Sequence, residues 1–176
     1  ESPKDVFVFS GDHIYKMDVS QMYNYHRKKG ADMTIAAIPV PIKEASEFGV
    51  IEIDKDWRMI GFEEKPKNPK SIPGNPDYAL ASMGNYIFKS GVLVKAVTED
   101  AEKKESVHDF GKNIIPALYP SKKVYVYDFL ENKISIPNSE EYEKAYWRDV
   151  GTIYSYWQSH MDLVAVSPAI NLYNRN

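Results

Sequence analysis

Apolar residues fall into short runs along this chain, and the runs change period from one to the next. Val6-Phe7-Val8-Phe9 is continuous and rich in β-branched and aromatic types, which predicts a buried strand. A helix is predicted from Ser20 to Lys29, with Asp18 or Ser20 as its N-cap and Gly30 as its stop. Met33-Thr34-Ile35-Ala36-Ala37-Ile38 then reads as a strand that Pro39 and Pro41 end. Strand, helix and strand in that order predict a parallel pair with a right-handed crossover. Glu44 to Phe48 suggests a short helical turn. Val50-Ile51-Glu52-Ile53 and Met59-Ile60-Gly61-Phe62 flank Asp54-Lys55-Asp56-Trp57, the pattern of a hairpin. Pro66 to Asp77 is a long surface loop, a length that is often functional. Tyr86-Ile87-Phe88 and Val124-Tyr125-Val126-Tyr127 are further strands. Helices are predicted over Gly91 to Val97, Phe110 to Leu118 (bent or ended near Pro116) and Ile153 to Val164. The alternation predicts an α/β fold: a mixed, mostly parallel sheet flanked by helices.

Composition narrows the classes. With 176 residues the chain is long enough for one domain with a sizeable core. A net charge of −3 gives no basic field for nucleic acid, and the pairs Lys28-Lys29, Lys103-Lys104 and Lys122-Lys123 read as solvated faces. No cysteine is present, so disulfides and thiolate metal sites are excluded. Four scattered histidines, at 13, 26, 108 and 160, do not have zinc-ligand spacing. No signal peptide or apolar stretch of about 20 residues is recognisable, so a cytoplasmic protein with no membrane partner is expected.

Candidate chemistry starts at Ser10-Gly11-Asp12, where the first strand ends. Ligands of open α/β sheets sit outside the carboxyl ends of the strands, although an Asp there also serves as a plain turn or helix cap. Phe62-Glu63-Glu64-Lys65-Pro66 closes a second strand, and Tyr146-Trp147-Arg148-Asp149-Val150-Gly151-Thr152 precedes the last helix. Further motifs follow in order: Pro39-Val40-Pro41-Ile42, Glu44-Ala45-Ser46, Phe48-Gly49-Val50, Ala81-Ser82-Met83-Gly84 and His108-Asp109-Phe110-Gly111-Lys112. Together they resemble the sugar-1-phosphate nucleotidyltransferases, and within them the bacterial-type ADP-glucose pyrophosphorylases, along the length of the chain.

The resemblance implies a nucleotide-diphospho-sugar transferase fold, Rossmann-like in architecture. It implies a reaction that joins ATP and glucose 1-phosphate into ADP-glucose and pyrophosphate, for glycogen synthesis, in a homo-oligomer that is tetrameric in the family. Asp12 and Asp149 match the family's metal-binding aspartates, with Mg2+ as the expected cofactor. The other uses open to Asp149 are an ion pair with Arg148 and capping of the following helix. Glu64 and Lys65 correspond to the pair that grips the sugar phosphate. Read alone, they belong to a surface charge run, though Pro66 stiffens the exit and fixes where Lys65 points. With Asp12 and Asp149, Lys65 completes the expected catalytic set. Gly49 matches a close backbone approach to glucose, and Ser82 matches a hydroxyl contact. Asp109 and Phe110 resemble a second sugar-side loop, where Asp109 equally suits a helix cap. Trp147 suits stacking on the sugar or packing in a core, and His13 suits a structural role beside Asp12. Tyr23, Tyr25, Tyr154 and Tyr156 suit core or subunit contacts.

The family begins with a glycine- and arginine-rich loop around the triphosphate and ends in a β-helix. The nine glycines here fall singly, and Leu172 to Asn176 resembles the start of a link to that second domain. Residues 1–176 are therefore expected to be a partial catalytic domain, inactive alone. Competing readings are a UDP-, dTDP- or GDP-sugar pyrophosphorylase, and a noncatalytic regulatory subunit. The latter would be expected to lose an aspartate or lysine that this chain keeps.

Overall fold

The computed structural model describes residues 3–136 and 140–170. Leu172 to Asn176, read above as the start of a link, lies outside them. The chain divides into two compact units: residues up to Phe9 with Met22–Asp128, and Ser10–Gln21 with the residues from Phe129 onward.

The first unit is a six-stranded sheet with helices. Its strands are β1 (Asp5–Val8), β3 (Met33–Pro41), β4 (Gly49–Ile53), β5 (Met59–Glu64), β6 (Tyr78–Lys89) and β7 (Val124–Asp128), while β2 (His13–Lys16) belongs to the second unit. The order is β5-β4-β6-β3-β7, with β1 also on β6. The sheet is mixed, but its parallel share is smaller than the strand–helix alternation suggests. Among the described ladders only β3–β7 is parallel. The parallel pair expected between the first strand and Met33–Ile38 is not formed. Both of those strands instead run antiparallel to β6, whose twelve residues are long enough to take β4 at one end and β1 at the other.

Local chemistry explains the elements. Asp18 Oδ1 accepts from Ser20 N at 2.9 Å at the start of α1 (Val19–Lys29), and Gly30 ends the helix at φ 58°. The β4–β5 hairpin turns where Asp54 Oδ1 accepts from Asp56 N and Arg58 N, with Trp57 at φ 64°. Glu44 to Phe48 contains the expected helical turn, Ala45–Glu47. One sheet face buries Met33, Ile35, Leu80, Phe88 and Val126 against Ala96 of α2 (Ser90–Ala101) and against Ile115 and Leu118 of α3 (Ile115–Leu118). Before α3 the chain makes a π-helical turn, Phe110–Ile114, and Pro116 then sits in the first turn of α3.

The second unit pairs β2 with β10 (Tyr146–Asp149) and β8 (Lys133–Ser135) with β9 (Tyr142–Lys144), and carries α4 (Ile153–Val164). Its two chain segments are stitched by side chains. Asn132 bonds both main-chain groups of Asp18 at 2.8 Å, and Lys16 Nζ lies 2.5 Å from Glu143 Oε2. Thr152 and Ser155 form a reciprocal capping box at the start of α4. No helix among the described residues is long and apolar enough to cross a membrane.

Candidate active site

In the first unit the hairpin register sets Gly49 opposite Glu64, and Lys65 N donates to Phe48 O at 3.1 Å just beyond it. A Cβ at Gly49 would stand 2.8 Å from Glu64 Oε2, and one at Gly111 would stand 2.6 Å from the same oxygen. The carboxylate of Glu64 therefore lies against two glycines, and a side chain at either would have to displace it. Burial raises its pKa, and the neighbouring Asp109 carboxylate raises it further, against Lys65 and Lys112. Lys65 is exposed, makes no ion pair among the described residues, and sits at φ 47°, a strained backbone for a lysine.

Asp109 does cap the turn that follows, accepting from Lys112 N at 2.8 Å, while keeping its carboxylate beside Glu64. On β6, Ser82 Oγ accepts from Gly84 N at 3.3 Å, and the Tyr86 ring stacks on Phe110 at 5.7 Å. Phe110 is thus engaged with the core, packing on Tyr86 and Phe88. Burial raises the Tyr86 pKa, and Glu64 and Asp109 add to it. Sequence reading placed Tyr86 only in a strand. Its position four residues after Ser82 becomes informative once the β6 bulge opposite Ile35 and Ala37 is seen.

In the second unit Asp12, His13, Trp147 and Asp149 come together. The antiparallel register of β2 and β10 pairs His13 with Asp149, and Ser10-Gly11-Asp12 leads into β2. His13 Nε2 lies 3.7 Å from Asp12 Oδ1 and 3.4 Å from Asp149 Oδ1. Those two distances cap the separation of the carboxylate oxygens at about 7 Å, whereas opposite ligands of one ion at about 2 Å stand about 4 Å apart, so sharing an ion requires the two side chains to close in. The Ser10 hydroxyl, followed by His13, holds the Asp12 carboxyl below its usual range although burial opposes them. Trp147 meets the His13 ring edge-on at 5.3 Å.

Neither of the other uses foreseen for Asp149 is its main one. Arg148 pairs with Asp162 at 2.7 Å, and Thr152 caps α4; Asp149 accepts from Gly151 N at 3.2 Å. Among the described residues no group of three or more His, Cys, Asp or Glu forms a metal cage. Two converging carboxylates, one of them 78% exposed, are instead the donor set magnesium uses when phosphates and water supply the rest.

A polar cluster with an exposed lysine and a separate pair of carboxylates are what transfer between phosphates calls for. Comparison with known proteins gives the family. The chain is 57% identical over 175 residues to glucose-1-phosphate adenylyltransferase 1 of Vibrio cholerae, 57% over 173 residues to glucose-1-phosphate adenylyltransferase of Photobacterium profundum, and 54% over 175 residues to that of an Anaeromyxobacter species. These matches cover 98–99% of the chain and 42% of each relative, so the chain spans about two fifths of the length of the curated relatives. The family model described as nucleotidyl transferase matches residues 1–165, and on that match the chain belongs to the nucleotidyl transferase family.

Proposed function

We propose that this chain carries the sugar-phosphate-binding and metal-binding residues of an ADP-glucose pyrophosphorylase, which makes ADP-glucose and pyrophosphate from ATP and glucose 1-phosphate. The observation that carries the reading is the cluster of Glu64, Lys65 and Asp109, gathered from a strand end and a turn around glycines 49 and 111. An ammonium without an ion pair offers three donors to a phosphate, and carboxylates accept from sugar hydroxyls. Asp12 and Asp149 would hold Mg2+, which when bound neutralises charge between the two anionic reactants. A phosphate oxygen of the sugar attacks the α-phosphorus of ATP; the new P–O bond forms as the bond to the bridging oxygen breaks, and pyrophosphate leaves with the electron pair. That oxygen is already anionic, so no side chain has to act as nucleophile. The work of the protein is positioning and charge compensation. ATP as the nucleotide is supported by the adenylyltransferase names of the relatives. A cytoplasmic homo-oligomer is supported by the family resemblance.

The test is steady-state kinetics on the complete polypeptide. Lys65→Ala should raise the KM for glucose 1-phosphate about ten- to a hundredfold, the loss expected for a hydrogen bond to a charged group. The KM for ATP should change less. Asp12→Asn should depress turnover. An equal loss for both substrates, or turnover unharmed by Asp12→Asn, would overturn the assignment.

A further inference from the structure

Asp100 stands in the last turn of α2, with a side chain only 5% exposed. A buried carboxylate is costly unless satisfied, and a helix C-terminus is the wrong end for a negative charge. Its partners all come from one downstream turn. The Ser106 hydroxyl is shared between the two carboxylate oxygens at 2.9 and 2.8 Å, and His108 Nδ1 lies 2.9 Å from Oδ2. An ionised carboxylate only accepts, so Nδ1 carries the proton. Ser106 Oγ also accepts from His108 N at 3.0 Å. His108 is thereby held by ring and main chain at φ 58°, a left-handed conformation that side chains seldom adopt unaided.

The next residue is Asp109. Its main-chain N–H donates to Asn113 Oδ1 at 3.2 Å and its carboxylate caps Lys112 N. A Cβ at Gly111 would meet Asp109 Oδ1 at 3.3 Å and Glu64 Oε2 at 2.6 Å, so both carboxylates border the same small space. We propose that Asp100 is a positioning residue: through Ser106 and His108 it fixes the left-handed turn that sets Asp109 beside Glu64. The proposal rests on the sugar-side reading given above. Asp100 and Ser106 hold the turn from behind and are not themselves placed in the sugar-phosphate cluster.

The experiment compares Asp100→Ala and Ser106→Ala in the complete polypeptide, each alone and combined with Asp109→Ala. Each single change should raise the KM for glucose 1-phosphate about three- to tenfold, as for a lost hydrogen bond. The KM for ATP and kcat should stay close to wild type. In the Asp109→Ala background neither change should raise the KM further, because the residue they position is gone. Ser106→Ala removes a single hydroxyl and carries the test should Asp100→Ala fail to fold. Equal factors in both backgrounds, a parallel rise for ATP, or no rise at all would overturn the proposal. If Asp109→Ala itself leaves the sugar KM untouched, the sugar-side reading falls and takes this proposal with it.

Discussion

At Gly111 the atoms that would block a methyl group are the far ends of two side chains, Glu64 and Asp109. At Gly49 the nearest is the Phe62 ring, 2.6 Å away and packed against the core. The two glycines should therefore fail differently. Gly111→Ala should displace the Glu64 carboxylate, raising the KM for glucose 1-phosphate about tenfold while stability changes by less than about 1 kcal/mol. Gly49→Ala should also overpack the core and cost about 1–3 kcal/mol. Thermal unfolding alongside kinetics separates them, and equal destabilisation by both changes would contradict the geometry. Gly49 was legible through its motif. Gly111 lies inside another motif, yet nothing in its spacing marks it, because its meaning depends on where Glu64 ends up.

Among the elements, β10 is tied to α4 by its own arginine. Arg148 Nε and Nη2 and the Tyr146 hydroxyl all converge on Asp162 Oδ2 of α4, at 3.1, 2.7 and 2.7 Å. Asp162→Ala should loosen β10 and raise amide hydrogen exchange along the β2–β10 ladder by about tenfold or more, as the loss of charge-assisted bonds implies. Protection in the β3–β6 ladder should be unaffected. An unchanged β2–β10 pattern would show that the clamp is dispensable. The bounds of α4 were readable because its cap and its apolar spacing are local. The four-residue strands β2 and β10 were not, since half-buried stretches such as His13–Lys16 become strands only through a partner far along the chain. The expected parallel pair failed for a related reason: local order places a crossover but does not show which later strand inserts between its ends.

For the molecule as a whole, the sharpest response to pH should come from His26. Its side chain is 1% exposed, bonded to Thr34 Oγ1 at 2.8 Å and 3.6 Å from Asp5, which also meets Arg27 and Tyr23 at 3.3 Å. Burial lowers the His26 pKa, Asp5 opposes that shift, and Lys89 and Arg27 reinforce it. The folded protein thus binds this proton less readily than the unfolded chain. The contribution is complete above the unfolded value, near 6.5, and is lost as pH falls toward the folded one, by at most about 1.4 kcal/mol per pH unit. Urea unfolding between pH 7.5 and 5 should show a shallower acid loss in His26→Gln than in wild type, and identical slopes would refute the assignment.

The second unit, whose chain segments are separated by the whole Met22–Asp128 stretch, carries a further consequence, this time in the order of events during synthesis. Polypeptides emerge N-terminus first, and contacts between distant segments wait for the loop between them to close. The long sheet can be completed once β7 has left the ribosome, whereas Asp12 appears early and must wait for Asp149. The pair of carboxylates is therefore the later of the two clusters to exist. A nascent chain halted just after Asp128 would hold Glu64 beside Asp109 before Asp12 had met Asp149.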